Sequence, residues 1–342
     1  MRRPMVMRPR APEREDCGQT PRKTRHFGPK NATPGPDCRH RPQQGRPFRE
    51  APKIATLRLK FGVHPGNSGL QREVSTMKAG DIVRDFYNNF GWRNSSAGEN
   101  ALFRTFPESF HTIYNPGIEE RIRLAFAGRS GHLLIVGSGD MPQTHLDVAD
   151  QFSAITCMDI SELALEASRQ RLGDKGRYLL DSIVDTQEVG EQFDAVLCAF
   201  VLFHIDASEQ ATAVRQMMRL TKAGGRVVII YANPNSPMAL PGELARKAKF
   251  ALTGKGFVSP KGAPAHYYHA HPLRWWKQFS ASARLTLLPS QVIGSRPAQA
   301  LLRSDSLARG FFRFARWLEL RYPQVAARVW QFPMAILDKN SS

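Results

Sequence analysis

The residues with the most evident chemical potential form a short ordered series. Gly137-Ser138-Gly139-Asp140 follows the apolar run HLLIV (132–136), and Asp159 closes the next apolar run, 22 residues beyond Gly137. In a doubly wound sheet, ligands sit outside the carboxyl ends of the strands, where such a turn lies. Glycine there admits a closely approaching ligand and adopts positive φ at little cost; a plain tight turn uses the same residues. Asp159, with Ile160 beside it, is placed to accept both ribose hydroxyls of a nucleoside. It also suits the N-terminal flank of a following helix, where the dipole favours a carboxylate, and the two roles are compatible. Asp181 closes RYLLD, where it can accept from the exocyclic amine of adenine while the amides of Ser182 or Ile183 reach a ring nitrogen. A solvated loop aspartate accounts for that spacing equally well. His204, just past FDAVLCAF, is the candidate general base, because an imidazole titrates near neutral pH; a helix-flanking histidine bonded to backbone is the competing reading.

These groups need elements to hold them. Residues 81–92 (DIVRDFYNNFGW) have the pattern of a short amphipathic helix ending at Gly91, and a second helix is expected after Pro116, with Ile118, Ile122 and Leu124 or Phe126 as its apolar face. From residue 132 the period changes. HLLIV, AITCMDI (154–160), RYLL (177–180), FDAVLCAF (193–200) and RVVIIYA (226–232) are short apolar runs, as in strands buried on both faces. Helical segments separate most of them: Ser161 can cap SELALEASRQRL, Gly173 can end it, and 208–222 puts Val214, Met217, Met218 and Thr221 on one face. This alternation predicts an α/β fold with a mostly parallel sheet covered by helices on both faces. Beyond 233 the rhythm loosens into a Pro-, Gly- and aromatic-rich stretch to 283. LTLLPSQVI (285–293) and FPMAILDK (332–339) then read as strands around a helical 298–330.

Taken in order, LLIVGSGDMP, CMDIS, YLLDSIVD, FDAVLCAFVLFH and LTKAGGRVVII resemble the motif series of class I S-adenosylmethionine (SAM)-dependent methyltransferases, over residues 130–232. The resemblance implies a Rossmann-like doubly wound sheet of seven strands with an antiparallel last strand. It implies SAM as cofactor, with Gly137, Ser138 and Gly139 against its methionine part, Asp159 on the ribose, and Asp181 with Ser182 near adenine. Ala199 and Phe200 are expected to line the site. DFYNNFGW, FHIDASEQ and LELRYP…QFPMAILDK further resemble a bacterial subgroup related to quinone-pathway and other small-molecule methyltransferases, which implies that Tyr87 lies over the SAM site. Two positions depart from the pattern. The acidic residue expected two positions before Gly137 is Ile135, which removes a partner for the methionine amino group unless another group such as Asp140 supplies it. The third glycine is replaced by Met141, with Pro142 beside it.

Composition narrows the alternatives. The formal charge is +18, but residues 1–76 hold 17 of the 48 Lys and Arg and only 6 of the 30 Asp and Glu, together with 11 of the 24 prolines. That leader is expected to be disordered, because it cannot bury enough apolar surface to offset its chain entropy. Met77 is an alternative start, leaving 77–342 as the methyltransferase domain with a helical cap and a late insertion at 233–283. With most of the excess charge in the leader and no RNA-binding signature, an RNA methyltransferase is disfavoured. An NAD(P)-dependent oxidoreductase would need a third glycine at 142, where Pro142 stands. A catalytically silent SAM-binding fold is the third alternative, prompted by Ile135. The four cysteines form no close pair, which suits a reduced cytoplasmic protein, and no apolar run is long enough to span a membrane.

Two late segments carry open readings. In YYHAHPLRWWKQF (267–279) the aromatics either sandwich a planar acceptor or bury Trp275 or Trp276 in the core; His269-x-His271 lacks an evident third metal ligand. In LARGFFRFARWLELRYPQVAARVW the arginines and aromatics suit peripheral contact with an anionic membrane or a lipid-like acceptor, or a helix packed on the sheet with solvated arginines. No obligate protein partner is indicated.

Overall fold

The computed structural model describes residues 79–88, 106–187, 190–240, 251–252 and 267–341. The expected disordered leader, Gly91 at the end of the first helix and most of the late insertion lie outside them. Helix α1 (Ala79–Phe86) opens the described chain, and α2 (Asn115–Ala125) begins with Pro116 in its first turn. The proline has no N–H to leave unsatisfied there. Of the two expected core positions at the end of α2, Phe126 is fully buried, whereas Leu124 is half exposed.

The sheet runs β1 (His132–Val136), β2 (Ala154–Asp159), β3 (Gly176–Leu180), β4 (Phe193–Ala199), β5 (Thr221–Ile230), β6 (Ala283–Gln291) and β7 (Phe332–Lys339). Its spatial order is β3-β2-β1-β4-β5-β7-β6. The first five strands pair in parallel, and β7 runs antiparallel between β5 and β6. The expected seven-stranded Rossmann-like architecture is therefore the observed one. Boundaries differ: β5 starts at Thr221, so TKAGG belongs to the strand and Thr221, expected on the face of the preceding helix, lies past its end; β6 runs two residues earlier than expected, and the β4–β5 register shifts between Phe193 and Ala195.

Helices α3 (Gln143–Ala149), α4 (Glu162–Leu172) and α5 (Gln210–Leu220) make the crossovers. The amide of Ala164 donates to Ser161 Oγ at the start of α4, and Gly173 ends it with φ +61°. The expected helical region 298–330 is three helices, α6 (Ser295–Leu301), α7 (Asp305–Arg321) and α8 (Pro323–Val329). Two apolar clusters result, one on each side of the sheet. One joins α2 and α7 to alternate residues of the central strands, such as Leu133, Ile135, Leu197 and Val228. The other joins α5 to Leu134, Val136, Val196 and Val227. Alternating strand residues point to opposite faces, so a strand buried on both faces needs an unbroken apolar run, as HLLIV and VVII supply.

Candidate active site

The first two strands end side by side, in register from His132 with Ala154 to Val136 with Met158. Just beyond, the amides of Gly137 (2.7 Å) and Ser138 (3.3 Å) donate to Met158 O, clamping the loop onto the end of β2. The amide of Gly139 then donates to Asp159 Oδ2 at 3.0 Å, and that of Ser161 to Oδ1 at 2.9 Å. Loop and carboxylate therefore face one another. Burial pushes the Asp159 pKa up, while hydrogen bonds from the amides of Gly139, Ser161 and Ile160 pull it down. An ionised carboxylate has about four lone-pair sites, so these three amides do not exhaust its acceptor capacity.

The loop has an unusual backbone. Gly137 has φ +66° and Gly139 +57°, and Met141 (+53°) and Phe200 (+62°) also lie in the left-handed region. A non-glycine residue there costs about 1–3 kcal/mol and persists only where its surroundings impose it, typically at ligand sites. Sequence reasoning expected Gly137 to admit a ligand. In the structure its close neighbour is Val201, whose Cγ2 lies 2.3 Å from where a Cβ would be. Glycine is required because β1 and the β4 loop meet at this point, and Val201 is a wall residue the sequence analysis did not name. Ala199 ends β4 and is buried; Phe200 follows, its amide bonded to Ile230 O and its ring edge-on to Phe332 at 5.3 Å.

At the end of β3, the Asp181 amide donates to Asp159 O at 3.1 Å, placing Asp181 next to the ribose candidate. Asp181 Oδ1 accepts the Ser182 amide at 2.7 Å. That amide, one of two expected to reach a ring nitrogen, is thus engaged within the loop. The region after α1 reaches both flanks of this rim. Ser161 Oγ donates to Asn88 Oδ1 at 2.5 Å, and the Tyr87 ring lies 6.5 Å, edge-on, from that of His204.

His204 sits in a short turn (Leu202–His204) after β4. Its Nδ1 is 2.9 Å from the carbonyl oxygen of Tyr267. A carbonyl only accepts, so Nδ1 carries the hydrogen and the lone pair of the neutral ring lies on Nε2. The backbone bond of the competing reading is thus present, made through Nδ1. The rings of Phe203 (4.6 Å) and Tyr268 (6.2 Å) stand around it. In the neighbouring segment Trp276 is fully buried, and the Trp275 ring stacks with those of His271 (4.7 Å) and Tyr231 (6.3 Å). The core reading therefore holds for Trp276. Among the described residues, no three His, Cys, Asp or Glu side chains group as metal ligands.

Two further positions bear on the loop. Ile135 is fully buried in the apolar cluster beneath it, paired with Cys157 and Leu197. Asp140 carries the carboxylate closest in sequence to the missing acid; its Oδ1 is buried and lacks a hydrogen-bond partner among the described residues. Burial raises its pKa, and Arg171 on α4 opposes that. His145 of α3, which the sequence analysis missed, is buried beneath the loop; burial lowers its pKa to about 4 against a hydrogen bond with the Ser138 backbone. An amphipathic-helix reading would find it only as a polar residue on the inner face.

A family model described as a methyltransferase domain matches residues 134–229, which span this whole rim from β1 to β5. The ubiquinone/menaquinone biosynthesis C-methyltransferase UbiE of Burkholderia cenocepacia (strain HI2424) is 31% identical over 217 residues, covering 62% of this chain and 83% of that protein. The chain belongs to the class I SAM-dependent methyltransferases. A second relative of the same description, from Azotobacter vinelandii (strain DJ / ATCC BAA-1303), is 26% identical over 164 residues, 45% of this chain and 62% of the relative. Among solved structures, the N-methyltransferase NodS from Bradyrhizobium japonicum WM9 in complex with S-adenosyl-L-homocysteine is 13% identical with a TM-score of 0.44, over 77% of this chain and 99% of that one. SAM is the methyl donor of this methyltransferase, and its acceptor is a small molecule. The oxidoreductase and RNA-methylating alternatives are not favoured. No helix among the described residues is long and apolar enough to cross a membrane.

Proposed function

We propose that this enzyme methylates a planar phenolic or quinol-type acceptor held beside His204, in the catalytic domain formed by residues 77–342. The observation that carries this reading is the aromatic enclosure of His204 by Phe203, Tyr268 and Tyr87, with Nδ1 tied to the Tyr267 carbonyl. Aromatic walls favour a flat apolar ring, and the fixed tautomer supplies a base for a hydroxyl proton. The relatives named for ubiquinone and menaquinone biosynthesis support the same acceptor class.

Bound SAM supplies a methyl group already activated on a sulfonium, so the protein's share is alignment, desolvation and proton removal. Asp159 would grip the ribose hydroxyls; Gly137, Ser138 and Gly139 would face the methionine part; Asp181 and Ser182 would border adenine. Ile160, Ala199 and Phe200 would complete the walls, with Tyr87 above. The unpartnered Asp140 Oδ1 fits an ammonium group, and Asp140 is our candidate for the contact Ile135 cannot make. His204 Nε2 would take the acceptor hydroxyl proton, raising electron density on the ring oxygen and its ortho carbon. Cys157 and Cys198 are free and buried, and free thiols are the norm in the reducing cytoplasmic setting we assign to this enzyme.

The test is transfer of labelled methyl from SAM to demethylated benzoquinol and naphthoquinol acceptors. Labelled C- or O-methyl product supports the reading. Turnover confined to aliphatic amines or carboxylates overturns it.

A further inference from the structure

Helix α7 has two apolar faces, and the core uses one. Ala308, Phe312, Ala315 and Glu319 are buried, Phe312 against the rings of Phe110 and Tyr114 and Glu319 on Tyr114, Trp330 and Arg121. Elsewhere on its surface Leu307, Phe314 and Trp317 are each more than half exposed and Leu320 is 76% exposed, with Tyr322 and Val325 continuing the patch past the helix end. The rings form a ledge: Phe314 and Trp317 stack at 5.8 Å, and Trp317 meets Tyr322 edge-on at 5.9 Å. Scattered exposed apolar residues are ordinary, but a contiguous aromatic patch marks a contact surface.

Charge identifies the occupant. Arg303, Arg309, Arg313, Arg316, Arg321 and Arg328 are all exposed, whereas the acids of the same stretch are Asp305, bonded to Arg309, and the buried Glu319. A two-fold contact with a second copy would set this basic patch against itself. A surface rich in anionic lipid instead satisfies both features, taking the rings at its acyl boundary and the guanidinium groups among its phosphates. None of these residues belongs to the candidate site, so the inference is independent of the acceptor.

We infer that the exposed face of α7, continued by Tyr322 and Val325, docks this enzyme on anionic membranes. The test is co-sedimentation of the full chain with vesicles of phosphatidylcholine alone or with about one third phosphatidylglycerol, with melting curves to verify folding. Binding to the anionic vesicles is expected, falling roughly tenfold or more in a Phe314→Ser/Trp317→Ser/Leu320→Ser variant that melts normally. A variant carrying Arg313→Glu and Arg321→Glu should lose the preference for anionic lipid. Absence of wild-type binding overturns the inference. So does undiminished binding by the triple serine variant, which would assign the attraction to charge elsewhere, including the basic leader. A vesicle-free dimer that the serine variant dissociates would assign the face to a second copy.

Discussion

At the residue scale, Asp159 and Gly137 carry the largest expected effects, for different reasons. Asp159 accepts the amides of Gly139 and Ser161 with both of its oxygens. Asp159→Asn removes the charge and turns one acceptor into a donor aimed at an amide. S-adenosylhomocysteine affinity should fall about 10–100-fold, the worth of one to two charge-assisted hydrogen bonds, measured by calorimetry on protein with unchanged circular dichroism. Gly137→Ala meets both a φ of +66° and Val201 Cγ2 at 2.3 Å from its new methyl. It should lose about 1–3 kcal/mol of stability from the backbone alone, read in urea unfolding, and bind the nucleoside more weakly. His204→Gln keeps a side chain able to bond Tyr267 O but cannot take up a proton. The rate of methyl transfer should drop by about 10²–10⁴-fold; an unchanged kcat across pH 6 to 9 would remove His204 from the proposed mechanism.

At the scale of elements, the Gly loop rests on α3, and α3 contributes a neutral histidine. His145 has its pKa lowered to about 4 by burial, against about 6.5 in the unfolded chain. The folded state therefore resists protonation that the unfolded chain accepts. Stability associated with this group is complete above about pH 6.5 and declines progressively as the pH falls toward 4, by up to about 3 kcal/mol. Melting temperature followed from pH 7.5 to 4.5 should show that decline, and His145→Phe, which cannot titrate, should flatten it. Stability of the altered packing is a separate effect, so the slope and not the absolute value decides. Loss of α3 packing should also loosen the loop that faces Asp159, coupling acid sensitivity to SAM affinity.

At the scale of the molecule, a buried polar cluster joins Tyr114 and α2 to α7 and Trp330. Glu319 on α7 accepts from Tyr114 and from Trp330 Nε1 (2.9 Å), and pairs with Arg121 of α2 at 2.8 Å. The Tyr114 hydroxyl also accepts the Val292 amide. Glu319→Ala would leave the Arg121 guanidinium largely buried without its carboxylate, at a cost of about 3–5 kcal/mol. Urea unfolding should show it as a lower midpoint.

The amino-acid order alone determined the elements and much of the rim. Unbroken apolar runs mark strands buried on both faces, and a candidate at the carboxyl end of such a run can lie only at one end of a parallel sheet. The positions of Gly137, Asp159 and Asp181 at that end are therefore legible in the sequence. What sits opposite them is not, because those contacts join residues far apart in sequence. Val201 against Gly137, the Tyr267 carbonyl that fixes the His204 tautomer, Asn88 on Ser161 and the Glu319 cluster carry no local period. The same holds for α7: its sequence shows rings and arginines together, but which face is covered depends on how the helix is rolled against Phe110, Tyr114 and Arg121, contributed by a distant part of the chain.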